Sequence, residues 1–80
     1  MKLYHEQSLW QSLIQSYDIL PEYRSLAIKA NQTIEEDSEL KRNMRIVALK
    51  RILKHAEKRE FFDMQEVCCE LLTEYCKEGV

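Results

Sequence analysis

Three cysteines and two histidines are the side chains of this sequence that could ligate a metal ion or act as nucleophiles. A metal site would have to combine Cys68, Cys69 and Cys76 with His55. Zinc sites usually separate paired cysteines by a few residues, whereas adjacent cysteines on a helix point about 100° apart. Cysteine is also among the residues most often buried. The spacing therefore favours packing, and it predicts neither a metal site nor a cofactor.

No residue pattern typical of catalysis stands out either. His5 and His55 are isolated, and no serine or cysteine has a histidine and an acid around it at helical spacing, as an activated nucleophile requires. The single glycine, Gly79, cannot make a glycine-rich phosphate loop. We predict no catalytic residues and expect that the protein is not an enzyme.

Positive charge is concentrated in one segment of a chain whose net charge is −2. Eight of the twelve basic residues lie in residues 41–59. Four of them share one helical face: Lys50, Arg51, Lys54 and Lys58. This basic face could be solvated or paired within the molecule, bind an acidic protein surface, or contact the phosphates of a nucleic acid. We rank these alternatives in that order.

The segment that follows is acidic and explains the ranking. Glu66, Glu70 and Glu74 recur every four residues, which gives a helix a continuous acidic edge. A hairpin of the two segments would bring that edge beside the basic face, and pairs of this kind favour one register over others. Pairing would leave little net field for holding nucleic acid.

Three aromatic residues are candidate anchors for a protein partner. Trp10 lies in the first apolar segment, and tryptophan serves interfaces as well as cores. Phe61 and Phe62 separate the basic from the acidic segment, and both cannot point inward from a short connection. One should cover the end of the hairpin while the other stays exposed. The candidate partner-binding residues are thus Trp10, Lys50, Arg51, Lys54, Lys58, Phe61 and Phe62.

Hydrophobic periodicity predicts two helices in the first half of the chain. The first covers residues 5–20, or begins at Ser8 if Ser8 and Gln11 form a capping box. Its apolar stripe is Leu9, Trp10, Leu13, Ile14 and Tyr17. The second covers residues 21–37 and begins at Pro21, a residue suited to a first helical turn. Its buried face is Tyr23, Leu26, Ala27, Ala30 and Ile34.

Two further helices are predicted in the second half. The third covers residues 39–59, capped by Asp37 or Ser38, and its apolar positions are Leu40, Met44, Ile46, Val47, Ala48, Leu49, Ile52, Leu53 and Ala56. The fourth runs from Met64 to about Lys77, with Asp63 and Glu66 as a capping box, Phe62 and Val67 as a hydrophobic staple, and Gly79 as the stop. Its stripe is Met64, Val67, Cys68, Leu71, Leu72 and Tyr75. We expect Leu53, Leu71 and Leu72 to be core residues.

Composition supports the same fold class. One glycine and one proline among 80 residues leave too little turn chemistry for a β-rich fold. We predict one all-α domain over residues 1–80, with about four amphipathic helices as two αα-hairpins. These would form a small bundle or a short tetratricopeptide-like array. No signal peptide or membrane span is visible, and an odd cysteine count fits reduced thiols, so we expect a cytoplasmic protein.

The stretch LKHAEKREFFDMQEV, residues 53–67, resembles a helical repeat of the arbitrium receptors of temperate bacteriophages. In that repeat a helix with a Leu-x-aromatic-Ala ending precedes a phenylalanine-containing turn, an acidic cap and a second amphipathic helix. The matching residues are Leu53, Ala56, Phe61, Phe62, Asp63, Glu66 and Val67, with His55 at the aromatic position, and Ala48 and Cys76 extend the match. LWQSLIQSY and IEEDSEL are similar to the N-terminal region of Rap-type regulators of the same peptide-controlled, tetratricopeptide-like superfamily.

This resemblance implies a small regulatory interaction protein of a phage or bacterium that binds and modulates a protein partner. Control of lysis and lysogeny, or of peptide communication, is the implied setting. Those receptors are several times longer and carry a DNA-binding helix-turn-helix without counterpart here, so no peptide-pocket residue is carried over. A short chain also gains by burying surface on a partner or in a homodimer. The alternatives are a nucleic-acid-binding regulator that uses the basic third helix and a small self-assembling structural protein.

Overall fold

Four helices make up the structure, a computed structural model that describes residues 3–36 and 38–78. They are α1 (Leu3–Ile14), α2 (Pro21–Asn31), α3 (Glu39–Arg59) and α4 (Phe62–Glu78). Within these residues there is no β-strand, so the all-α prediction is confirmed. Asp37 and Gly79, considered above as a cap and a stop, lie outside the described residues.

The helices form a closed ring. Each one packs on its neighbours in the chain, and α1 also packs on α4. This arrangement is that of a small helical bundle, the first of the two predicted architectures. Because α3 packs between α2 and α4, part of its surface remains uncovered.

The core draws side chains from every helix. Those with almost no exposure include Trp10 and Leu13 of α1, Ala27 and Ala30 of α2, Leu49 and Ile52 of α3, and Cys68 and Leu71 of α4. The predicted stripe of α4 is therefore confirmed, and so is that of α2 except for Ile34, which packs on the core from beyond the end of the helix. Of the three leucines expected in the core, Leu71 is fully buried. Leu53 and Leu72 are half-buried and pack against the core from its edge.

The predicted apolar face of α3 is too wide. Its buried face is Arg45, Ala48, Leu49, Ile52, His55 and Ala56. Leu40, Met44 and Val47 are 76%, 39% and 51% exposed. They follow one another at i, i+4 and i+7, which places them in a stripe beside the buried one. Periodicity identifies both stripes as apolar, but only one of them is buried by the neighbouring helices.

The first two helices differ from prediction at their ends. The structure has α1 beginning at Leu3, so Ser8 lies inside the helix and its capping box is wrong. Because α1 ends at Ile14, Tyr17 falls in the connection and is fully exposed. The end of α1 is satisfied by Arg24 instead, whose Nε donates to the Ile14 carbonyl at 3.1 Å and whose Nη2 donates to that of Ser16 at 3.2 Å. A cation is favourable at this negative end of the helix dipole.

The end of α2 also comes earlier than predicted. It ends at Asn31, and the side chain of Thr33 then donates to the Ala30 carbonyl at 2.7 Å. The Thr33 carbonyl accepts from Arg45 Nη1 at 2.6 Å. A side chain of α3 therefore helps to fix the chain where α2 ends.

The two ends of α3 are closed in different ways, and the predicted cap at its start is confirmed. Ser38 caps the helix by accepting from the Lys41 amide at 3.2 Å. At the other end Glu60 adopts the left-handed conformation, with φ of 61°, and the Phe61 amide donates back to the Ala56 carbonyl at 2.9 Å. This bond is the outer one of a Schellman motif, which ends the helix without glycine.

The start of α4 lies one residue before the predicted cap. Because α4 begins at Phe62, Asp63 lies in its first turn and is not the cap. Phe62 is 72% exposed, so a buried staple against Val67 is also wrong. Phe61 is half-buried, with its ring edge-on to His55 at 5.8 Å. The prediction that one phenylalanine covers the junction and the other stays exposed is confirmed.

Candidate functional site

The first candidate site is a groove of about 660 Å³ between α2 and the second half of α3. We call it the basic groove, because four cationic side chains and one acidic side chain line it. The cations are Arg51, Lys54, Lys58 and Arg59, and the acid is Glu22. Helical spacing explains the gathering, since positions 51, 54 and 58 fall on one face of α3. In the described part of the chain, no salt bridge joins the three predicted cations Arg51, Lys54 and Lys58 to an acid.

His55 is a wall of the basic groove and is 7% exposed. Its ring stacks on Tyr23 with centroids 4.5 Å apart, and it meets Phe61 edge-on. Its Nε2 atom is buried and finds no hydrogen-bond partner in the described residues. A buried polar atom without a hydrogen bond costs folding free energy, because it has lost its contact with water, and such atoms are rare in folded proteins. His55 is thus a packing residue in the wall of the groove, and its unpartnered nitrogen is a finding of the structure.

The second candidate site adjoins the first. A groove of about 490 Å³, which we call the apolar groove, also lies between α2 and α3. Its apolar lining is Leu26, Ala30, Leu40, Met44, Val47 and Ala48, and its cationic lining is Lys29, Lys41 and Arg51. Leu26 and Arg51 line both grooves, so the two grooves are continuous along α3.

The predicted partner-binding residues separate into three groups. Arg51, Lys54 and Lys58 come together in the basic groove, whereas Lys50 is exposed and lines neither groove. Trp10 is fully buried in the core.

The third group is the phenylalanine pair. Phe61 and Phe62 line a separate cleft of about 340 Å³ together with Asp18, Glu60 and Asp63.

The sequence pattern predicted the cluster of cations in the basic groove, but it did not reveal Tyr23 and Arg59 as parts of the basic groove. Their signal is positional, since Arg59 continues the basic run and Tyr23 begins the half-buried face of α2.

The predicted pairing of the acidic edge with the basic face is wrong for Glu66 and Glu70. Glu70 Oε1 lies 3.3 Å from His5 Nε2 on α1, and Glu66 has no salt bridge within the described residues. The basic face turns instead toward α2, where it lines the basic groove. The physical reason is that α4 occupies another side of α3. The acidic edge therefore does not neutralise the basic face by direct pairing at these positions.

Comparison with protein-family models, with curated proteins and with solved structures finds no match to this chain. The grooves and the chemistry of the residues around them are therefore the basis for a functional proposal. Among the four helices as described, none is long and apolar enough to cross a bilayer.

A buried polar network ties the bundle together, and the sequence pattern did not reveal it. Trp10 Nε1 donates to the Tyr75 hydroxyl at 2.9 Å, and that hydroxyl donates to Glu6 Oε1. Arg45 Nε lies 3.9 Å from the same carboxylate oxygen, and its guanidinium lies over the Tyr75 ring at 5.4 Å. Burial, followed by the hydrogen bond to Glu6, raises the pKa of Tyr75.

This network is a structural feature of the core. It joins α1, α3 and α4, and through Thr33 it reaches the end of α2. None of the three grooves is lined by Glu6, Arg45 or Tyr75. The available signal in the sequence was that Glu6 stands one turn before Trp10 and Arg45 one turn before Leu49, each on the same helical face as that core residue.

The thiols divide into one buried and two exposed groups. All three are free, and Cys68 is fully buried, as predicted, whereas Cys69 and Cys76 are exposed. A packing role for these two is therefore wrong. Across residues 3–36 and 38–78, no cluster of three or more histidine, cysteine or acidic side chains is arranged to hold a metal ion.

We expect only Cys69 and Cys76 to react with a disulfide reagent in the folded protein. Burial, with a smaller contribution from neighbouring Cys69, raises the pKa of the Cys68 thiol to about 12. At about pH 8 it remains a protonated thiol, and the thiolate is the reactive form. Timed titration should show two fast thiols and a third only in denaturant. Fast reaction of all three without denaturant would show that Cys68 is accessible.

Proposed function

We propose that the protein is a non-enzymatic interaction module that binds a helix of a partner protein in the apolar groove. The observation that carries this proposal is the exposed stripe of α3, formed by Leu40, Met44 and Val47. A contiguous apolar surface on a small protein is costly to leave in water and typically marks an interaction site. A helix laid in a groove is a common way to cover such a surface.

The charges around the apolar groove define the chemistry of the partner. Lys29 and Arg51 line the groove without a salt bridge to a described acid, Lys41 Nζ lies 3.7 Å from Glu36 Oε2, and the described lining itself contains no acidic residue. Complementarity therefore favours a helix with an apolar face and acidic flanks. The apolar anchors of such a helix would recur at i, i+3, i+4 and i+7.

The resemblance to arbitrium receptors and Rap-type regulators supports a regulatory role for this docking. By occupying a regulator, the protein would modulate it without chemistry of its own. In a phage or bacterium, control of lysis and lysogeny or of peptide communication would be the setting, with the protein acting in the cytoplasm. These parts of the proposal rest on the resemblance of residues 53–67, whereas the docking itself rests on the groove.

The proposal predicts that Val47→Gln weakens partner binding while Tyr17→Gln does not. Affinity purification and mass spectrometry would first identify the partner, and calorimetry with the purified partner would then compare the variants. Val47 lies in the apolar groove, whereas Tyr17 is fully exposed outside it. We expect roughly a tenfold rise in Kd for Val47→Gln, the effect of losing a central interface contact. Equal affinities of the two variants would show that the partner binds elsewhere.

Two other functions have measurable consequences. The four cations of the basic groove favour nucleic-acid binding as the second candidate, and phosphate contacts of this kind weaken steeply with salt. A gel shift with mixed DNA and RNA that shows no salt-dependent binding would exclude it. Self-assembly, or a homodimer through the apolar groove, would appear in light scattering as a larger species that Val47→Gln dissociates.

A further inference from the structure

We infer that the basic groove binds an acidic segment of a peptide, one that carries two or more neighbouring oxyanions. The inference rests on the proposed function, because it assigns this segment to the partner whose helix lies in the apolar groove. The oxyanions can be carboxylates or phosphoryl groups, which share the chemistry that the groove recognises.

The basic groove carries a local excess of positive charge. The protein as a whole carries −2, yet the basic groove places four cations around a single acid, Glu22. Arg51, Lys54 and Lys58 form no salt bridge with a described acid, so their charge is available to a ligand. A groove with one sign of charge raises the local concentration of counter-ions. Four cations exceed what one carboxylate needs, which indicates a ligand with several negative charges.

His55 brings a buried, unpartnered nitrogen to the basic groove. Its side chain is more than nine-tenths buried, it lines the basic groove, and its Nε2 lacks a partner in the part of the chain that the structure describes. An oxyanion seated in the groove would supply the missing acceptor when that nitrogen carries the proton. The stack on Tyr23 and the edge contact with Phe61 hold the ring in place. A positioned buried donor adds selectivity that mobile surface cations alone do not provide.

The basic groove and the apolar groove are continuous with each other. Leu26 and Arg51 line both grooves, so one occupant can pass from the apolar groove into the basic groove. Along α3, Met44 and Lys58 are separated by about 20 Å, at about 1.5 Å per residue. A partner helix with its apolar face over Met44 and its acidic end over Lys58 would therefore need roughly four turns.

A short acidic peptide fits this groove better than a nucleic acid. Strong binding to a nucleic acid uses many phosphate contacts spread over a surface, whereas these cations surround one groove beside a buried aromatic pair. Exposed acids also interrupt the basic run on α3 and after it, at Glu57 and Glu60. These would repel a phosphate backbone that extends beyond the groove.

The decisive experiment compares two lysines one turn apart. Fluorescein-labelled hexaglutamate would be titrated with the full-length wild type, Lys54→Glu and Lys50→Glu, with fluorescence anisotropy as the readout. Both substitutions change the net charge equally, but only Lys54 lines the basic groove. We expect about a tenfold weaker complex for Lys54→Glu and less than about a twofold change for Lys50→Glu. Equal weakening would show a diffuse field without a site and would overturn the inference, as would a wild type that binds neither this probe nor a peptide with adjacent phosphoserines.

Further probes separate the sources of the oxyanion and the role of His55. A peptide with adjacent phosphoserines that binds more tightly than hexaglutamate would assign phosphoryl groups, and the reverse order would assign carboxylates. Tighter binding of a mixed-sequence oligonucleotide than of either peptide would overturn the inference in favour of nucleic acid. His55→Phe retains the aromatic stack but removes the nitrogen, and we expect roughly a threefold loss of affinity for the better peptide. Wild-type affinity of His55→Phe at unchanged melting temperature would remove His55 from the site.

The outcomes for the two grooves can be told apart. Hexaglutamate has no apolar face, so it reports on the basic groove alone, and Val47→Gln should leave its affinity unchanged. If Val47→Gln has no effect on the partner but Lys54→Glu weakens hexaglutamate, the proposed function fails and the oxyanion site stands. The opposite pair of results retains the helix-docking function and removes the oxyanion site.

Discussion

Leu71→Ala should lower the free energy of unfolding by about 2–5 kcal/mol, the cost of a cavity in a packed core. Leu71 is fully buried on α4 and belongs to the stripe that packs against the rest of the core. A domain of this size has a total stability of roughly 4–12 kcal/mol. The substitution should therefore remove a large part of the total stability, as urea denaturation followed by circular dichroism would show.

The neighbouring leucine provides the matched control. Leu72 carries the same side chain on the same helix but is half-buried. Because it already contacts water, Leu72→Ala removes less buried surface and should cost about 1 kcal/mol or less. Equal losses at the two positions, or a larger loss at Leu72, would mean that α4 presents a different face to the core.

Arg45→Met should cost about 3–5 kcal/mol, the usual penalty for removing one partner of a buried ion pair. The substitution leaves the Glu6 carboxylate, which is 9% exposed, without its neighbouring cation. It also removes the donor to the Thr33 carbonyl, which lies 2.6 Å from Nη1. Urea denaturation would measure the loss. Arg51→Met is the control, because Arg51 is exposed and should change stability by less than about 0.5 kcal/mol.

A double-mutant cycle separates the ion pair from the shape of the side chain. Glu6→Met combined with Arg45→Met removes both charges, so it should recover part of the stability that Arg45→Met loses. Replacement of a buried ion pair by apolar side chains is often nearly neutral for this reason. Strictly additive losses would show that Glu6 and Arg45 do not interact, and that the guanidinium acts through Thr33 and the Tyr75 ring instead.

Core and candidate site occupy different parts of the bundle. The Glu6 and Arg45 network links α1, α3 and α4, whereas both grooves lie between α2 and α3. Val47 and Lys54, which the binding experiments change, are exposed. Their substitution should therefore alter binding without unfolding the protein, which allows a loss of affinity to be assigned to the groove.

The sequence by itself determined the features that depend on neighbours along the chain. Periodicity gave the limits of α3 as residues 39–59, and side-chain oxygens restricted its cap to Asp37 or Ser38, of which the structure shows Ser38. The burial of Cys68 and Leu71 followed from their place in the stripe of α4. The opposite exposures of Phe61 and Phe62 followed from the shortness of their connection. Local geometry decides the helix limits and the cap, because these hold whichever helices lie nearby, whereas burial of a stripe also needs a helix to pack on it.

Only the tertiary structure decided which apolar and charged stripes are covered. Leu40, Met44 and Val47 read as core residues, but they stay exposed in the groove between α2 and α3, where the two helices do not close over them. The cations at positions 51, 54 and 58 could face α4 or α2, and the ring of helices turns them toward α2. Arg45 became a core residue because Thr33 and Glu6, distant in sequence, supply its partners. A helix fixes the direction of its own side chains, whereas the packing of the other helices decides what each of them meets.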